Sequence, residues 1–229
     1  VMTRQYYDIC QYNIKHECII VLFGGYGCSS YNYRNVNNRI PKTRLNDIIF
    51  LNLTKKCVIY DSSFETNGNN VKPCPRQNHK IEYLLDDKTH KEYVFLFGGR
   101  TNPMKSLGDC YLFDINEKHW IKLKYKDNNV TSLARYKFGM IKLNNDELIV
   151  FGGVHVNENR EKVLLNDMFK MKIDFKDMMV HIEMIKYNND KIPLPRCSMS
   201  FSLNRYNDVI LFGGLLTLNC CDINDENID

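Results

Sequence analysis

Apolar positions along the chain gather into short runs, and four of these runs end in a pair of glycines. Ile19–Gly25 reads IIVLFGG, Phe95–Gly99 FLFGG, Ile149–Gly153 IVFGG and Ile210–Gly214 ILFGG. A run that is apolar at every position suits a strand buried on both faces. The closing glycines allow positive φ and close backbone approach without a Cβ. The first glycines of the four phrases, Gly24, Gly98, Gly152 and Gly213, are unevenly spaced, so the phrase is a repeat with variable insertions. A period of about 50 residues signals a repeat architecture.

Other features recur in order around each phrase. An arginine lies upstream: Arg4 precedes Gly24, Arg76 precedes Gly98, Arg135 precedes Gly152 and Arg196 precedes Gly213, at similar separations. Between arginine and glycines sit two apolar runs split by a polar turn. In the third unit these are 138–143 and 148–151, with Asn144-Asn145-Asp146 as the turn, which predicts a hairpin. Downstream, Leu45-Asn46-Asp47, Leu107-Gly108-Asp109 and Leu165-Asn166-Asp167 each open a short alternating strand. A further strand follows at 57–60, 119–123 and 180–185. Each unit therefore predicts four strands, called a, b, c and d in chain order. The glycine pair is structural in this reading: a phosphate loop needs GxxxxGK[ST], or GxGxxG before a helix, and the sequence has neither.

Arginine, hairpin, FGG, variable loop, L-[NG]-D strand and fourth strand together resemble the kelch repeat, over nearly the whole chain. The resemblance implies an all-β fold, a kelch-type β-propeller of four-stranded blades. The blades are expected at about 4–73, 74–133 and 134–193, with a partial blade at 194–215 and an acidic C-terminal tail at 216–229. Two departures stand out. Only Trp120 fills the tryptophan usual in strand d, where the other units offer the regions of Val58 and Ile182. The loop that runs from Gly25 to Asp47 is long beside its counterparts, Gly99 to Asp109 and Gly153 to Asp167. After Gly214 no L-[NG]-D strand follows, so the fourth unit has strands a and b alone. Three and a half blades do not close, because propellers have about 4–8. This predicts a fragment of a longer propeller or, were the chain complete, closure by self-association or by a partner's blades.

Composition narrows the function. Hydrophobic residues make up 44% and charged residues 25%, ordinary for a chain that buries a core. The net charge of +4 is weak and the basic residues are scattered, which argues against nucleic acid. The 9 cysteines include no CxxC and no zinc spacing, and read as reduced thiols, mostly buried, in a cytoplasmic protein. No run reaches the ~20 apolar residues of a membrane span, so no membrane partner is expected. No GxSxG, HExxH or paired-carboxylate constellation appears, so the chain is expected to be no enzyme and to need no cofactor or metal.

Because strands alternate in direction, the b–c and d–a loops share one face. Variable loops on a rigid scaffold are where binding resides. Arg4, Arg76, Arg135 and Arg196 enter strand a on this face. They either pair with carboxylate or phosphate on a partner or bond the scaffold itself. Arg100, His155, Tyr26 and the aromatic, basic stretch with Tyr31, Tyr33, Arg34 and Arg39 are further candidates. The resemblance implies a non-catalytic protein–protein interaction module, its partner a protein with acidic or phosphorylated segments. The alternatives are the targeting segment of a larger enzyme, such as a kelch-fused serine/threonine phosphatase, or the recognition part of a ubiquitin-ligase adaptor.

Overall fold

The computed structural model describes residues 4–28, 42–64, 71–126, 133–187 and 192–218. Three antiparallel sheets follow one another, each ordered a-b-c-d. The first holds Asp8–Ile14, Glu17–Gly27, Thr43–Asn52 and Cys57–Asp61. The second holds Lys80–Leu85, Glu92–Phe97, Cys110–Asp114 and His119–Lys122. The third holds Gly139–Lys142, Glu147–Val156, Lys162–Asp174 and Met179–Met184. A fourth sheet consists of Ser200–Leu203 and Val209–Phe212.

Two short strands extend the sheets, and the first of them links neighbours. Lys124–Tyr125, leaving the second sheet, pairs in parallel with Met179 and Val180 of the third. Arg4–Gln5 pairs with Tyr26 and Gly27.

The sheets stack with their a strands side by side. Asp8 in the first a strand accepts from the Ile81 N–H at 2.8 Å and from Lys80 Nζ at 3.0 Å. Lys142 in the third donates to the Tyr83 carbonyl of the second at 2.9 Å. Apolar side chains fill the space between sheets. Phe23, Val21, Ile48, Ile81, Leu96 and Trp120 join in one cluster between the first and second. Phe97, Leu112, Phe138, Val150 and Phe169 join in another between the second and third.

The phenylalanine of each FGG explains why b strands are apolar throughout, since it reaches into the neighbouring sheet. Phe23 meets Trp120 edge-to-face at 5.1 Å, Phe97 meets Phe138 at 5.2 Å, and Phe151 stacks on Phe201 at 5.9 Å. Phe212, in the same place on the fourth sheet, is 77% exposed.

The glycine pairs have positive φ, near +60° at the first glycine and above +90° at the second. In the first and third units they do not end the strand. The b–c ladder shifts register at a bulge between Phe23 and Gly25, and between Phe151 and Gly153, and then continues as a longer hairpin. The second unit has a shorter connection, and there Arg100–Asn102 and Lys105–Ser106 form a separate small hairpin.

Candidate functional site

The repeated arginines serve as clamps and stitches: the side chains of Arg4, Arg76 and Arg135 clamp their own sheets, and the backbones of Arg76, Arg135 and Arg196 stitch each sheet to the one before it. Arg76 donates Nη1 to the Gly98 carbonyl at 3.0 Å and grips Asp109 with Nη1 and Nη2 at 2.7 and 2.9 Å. Its Nε donates to the Cys74 carbonyl at 3.1 Å. Arg135 repeats the arrangement, with Gly152 O at 3.0 Å, Asp167 at 2.9 and 2.8 Å, and Leu133 O at 3.2 Å. Arg4 does so with Gly24 O at 3.1 Å and Asp47 at 2.9 Å through both nitrogens.

Burial would raise the Asp109 carboxyl, but the hydrogen bonds and charge of Arg76 outweigh it and hold the group below the usual carboxylate value. The aspartates that open strand c are therefore the arginines' partners.

The backbones make the stitch. The N–H groups of Arg76, Arg135 and Arg196 donate to the carbonyls of Leu45, Leu107 and Leu165 in the preceding unit, at 3.0, 2.9 and 3.1 Å. In return, Gly25, Gly99 and Gly153 donate to the carbonyls of Arg76, Arg135 and Arg196, each at 2.9 Å.

Two positions after each arginine, Tyr6, Asn78, Lys137 and Ser198 all adopt φ near +56°. Asn favours this region, while Tyr and Lys are held there by context. Their amides chain from sheet to sheet: Asn78 donates to Tyr6, Lys137 to Asn78 and Ser198 to Lys137, at 2.9, 3.1 and 2.8 Å.

All four arginines thus lie at the b–c end of their sheets, on one face. Arg76 and Arg135 are fully buried, and the Arg4 side chain is 1% exposed. The guanidinium groups of Arg4, Arg76 and Arg135 are committed to carboxylates of the scaffold. Arg196 makes the two carbonyl bonds, to Leu194 and Gly213, at 3.1 and 3.0 Å.

Arg100 is buried on the seam between the second and third units. Its guanidinium lies 4.8 Å over the Tyr136 ring, and with the Gln77 amide turned, that oxygen accepts from Nη2 and Nε at 3.2 and 3.3 Å. His155 donates Nδ1–H to the Ala134 carbonyl at 2.7 Å. Tyr26 is half-buried and stands opposite Arg44 in the b–c ladder. With Lys42, Thr43, Arg44, Pro75 and Thr101 it lines a shallow depression of about 440 Å³ between the first and second units. Sequence reasoning alone does not pick out Lys42 and Arg44; they lie just before the Leu45-Asn46-Asp47 phrase. Tyr31, Tyr33, Arg34 and Arg39 lie outside the described residues.

Among the described residues no group of His, Cys, Asp and Glu is placed to hold a metal ion. Among the described residues, Cys10, Cys18, Cys57, Cys74 and Cys110 are free thiols. No helix among the described residues is long and apolar enough to cross a membrane.

Successive four-stranded sheets, stitched at one end by buried arginines and carrying variable hairpins at that end, define a β-propeller repeat array. The chain belongs to the kelch family: the KLHDC2/KLHL20/DRC7 Kelch-repeats domain matches residues 13–226. The solved structure of YjhT is similar in fold, with a TM-score of 0.54 at 12% sequence identity. The match covers 92% of this chain, which spans 59% of that one. No curated protein matches the chain in sequence.

Proposed function

We propose that this kelch-repeat chain is a non-catalytic docking module that holds an acidic or phosphorylated segment of a protein partner at the b–c face. Kelch-repeat domains are in general protein-interaction modules. The observation that carries the finer reading is the depression lined by Tyr26, Lys42, Thr43, Arg44, Pro75 and Thr101. It joins an aromatic ring to two cations at the edge of a rigid scaffold, and Tyr and Arg are the residues that most often anchor interfaces. A carboxylate or phosphate there would meet the Arg44 guanidinium and the Lys42 ammonium. The clamped arginines beneath would keep the strands on either side fixed, and a preorganised surface loses less entropy on binding.

The test is an arrayed library of acidic and phosphoserine peptides, read by fluorescence anisotropy against the protein and two variants. Tyr26→Ala and Arg44→Glu should each weaken the tightest peptides by about tenfold or more, and raising the salt should weaken them further. Peptides that bind both variants as well as the parent would place the docking surface elsewhere.

A further inference from the structure

A cavity of about 600 Å³ opens on the seam between the second and third units, at the end of the sheets away from the repeated arginines. The a–b turn of the second unit lines one side of it. The a–b turn, the c–d turn and His181 of strand d in the third unit line the other. Its volume falls in the ordinary range of ligand sites, about 300–1,000 Å³.

The apolar part of the lining is Leu85, Ile173 and Phe175. Ile173 belongs to the core between the two sheets, and the Phe175 ring is stacked on Tyr93 at 5.4 Å, which fixes its place. The charges around it are sorted by depth. Asp86 is 9% exposed, and Asp146 and Asp174 are half-buried. Lys88, Lys172 and Lys176 line the same cavity and are all exposed. Lys172 lies 3.6 Å from the Asp146 carboxylate. Asp87 is the exposed acid, and it accepts from Asn145 Nδ2 across the seam at 2.7 Å.

The recessed carboxylates have capacity to spare. Asp86 Oδ1 accepts the Lys88 N–H at 3.0 Å, and its Oδ2 accepts from the Thr89 hydroxyl. Asp174 accepts the Lys176 and Asp177 N–H groups at 3.0 and 3.2 Å, both on Oδ1. A carboxylate has about four lone-pair sites, so each can take a further donor. The Thr89 hydroxyl is the main group that holds Asp86 below the usual carboxylate value, and the Asp177 N–H is the main one at Asp174. The charge of Lys88 also favours ionisation of both, one in each unit, so this lysine stands near the two turns at once.

We propose that this cavity takes the arginine or lysine side chain of a basic segment of a partner protein, its cation among Asp86, Asp146 and Asp174 and its methylene stem along Leu85 and Phe175. A cleft lined in depth by one sign of charge focuses the field on a ligand of the opposite sign. A ligand carboxylate would pass the exposed lysines and end among three recessed acids, where repulsion is strongest. The chain as a whole carries +4, so this acidic lining is a local feature. The site lies on the face opposite the b–c loops and shares no residue with the depression at Tyr26.

The experiment is fluorescence anisotropy at low salt on the whole 229-residue chain. The probe is the labelled pentapeptide Gly-Arg-Gly-Arg-Gly, with Gly-Glu-Gly-Glu-Gly as its acidic counterpart. The arginine peptide should bind and the glutamate peptide should not. The double variant Asp87→Asn, Asp146→Asn leaves the turn bonds of Asp86 and Asp174 in place, and it should weaken binding about fivefold. Lys88→Ala should tighten it about threefold, because it removes the chain's own cation from the site. Glu158→Gln, on an exposed b–c hairpin, should leave binding as in the parent, and so should Arg44→Glu. A thermal scan of each variant checks that it is folded.

Parental affinity in the folded double variant would overturn the proposal. Weaker binding in Lys88→Ala would do so too, since it would give the site to an anion. A glutamate peptide that binds as tightly as the arginine peptide would have the same force. An effect of Glu158→Gln equal to that of the double variant would reduce the binding to general acidity and sink the site.

Discussion

Alanine in place of Gly98 should destabilise the protein several times more than alanine in place of Gly213. Both glycines have φ close to +65°, and an L-residue pays about 1 kcal/mol for that backbone at either site. The difference lies in what the new Cβ meets. At Gly98 it would sit 2.8 Å from the Arg135 carbonyl oxygen and 2.8 Å from Cε1 of Phe138. That carbonyl is fixed, because it accepts the Gly99 N–H at 2.9 Å. Giving way would weaken this bond, worth about 1 kcal/mol. It would also push a core phenylalanine that is 2% exposed, and overpacking of this kind costs about 1–3 kcal/mol. The total is about 3–5 kcal/mol for Gly98→Ala. At Gly213 no described atom lies within 4 Å of the added Cβ, which leaves the backbone cost of about 1 kcal/mol. In a chain of this length about 1 kcal/mol moves Tm by about 2–4 °C, so the two variants should separate by several degrees. Urea unfolding and a thermal scan read both. Equal losses in the two variants would refute the idea that the first glycine is required by the next unit's arginine carbonyl.

His79 should make stability fall in acid. It is buried, its Nε2–H donates to Phe23 O at 3.1 Å, and burial first, then the charge of Arg76, lowers its pKa from 6.5 to about 3. The unfolded chain takes up a proton that the folded one refuses, so the His79 contribution is fully present above about pH 6.5 and is lost as pH falls toward 3. The slope approaches about 1.4 kcal/mol per pH unit, and it should appear in the difference between the parent and His79→Gln, because the variant lacks the group; parallel curves would contradict the burial. Iodoacetamide with mass mapping should label exposed Cys57 in the native protein and spare Cys10 and Cys110, whose thiols are buried and raised by that burial. Labelling of Cys110 at the rate of Cys57 would contradict its place in the core.

Repetition makes the scaffold legible. The FGG phrases, the arginines and the L-[NG]-D openings recur in order, and they fall on the strand ends where the sheets are stitched. The pairing of Arg4, Arg76 and Arg135 with aspartates 43, 33 and 32 residues away is not local. Periodicity within a strand carries no trace of it, and its one visible signal is that arginine and aspartate recur together. The left-handed residues are hidden for another reason. Tyr6, Asn78, Lys137 and Ser198 share a conformation and no chemistry, because hydrogen bonds between units impose it. The hairpins beyond Gly25 and Gly153 look like loops in the sequence, since their polar residues alternate outside the buried part of the ladder. The depression at Tyr26 and Arg44 joins residues on two sides of a long insertion, so only the ladder register brings them face to face.

The repeated arginines hold the sheets together, and Arg76 is a fully buried example. The direct measurement is urea unfolding of Asp109→Ala beside Lys172→Ala, which removes an exposed ion pair. Loss of Asp109 would leave a fully buried guanidinium without its carboxylate. The expected loss is about 3–5 kcal/mol, well beyond that of the lysine variant. A loss no larger than that of Lys172→Ala would mean that Arg76 does without its partner, and would return the arginine to the pool of groups available to a ligand.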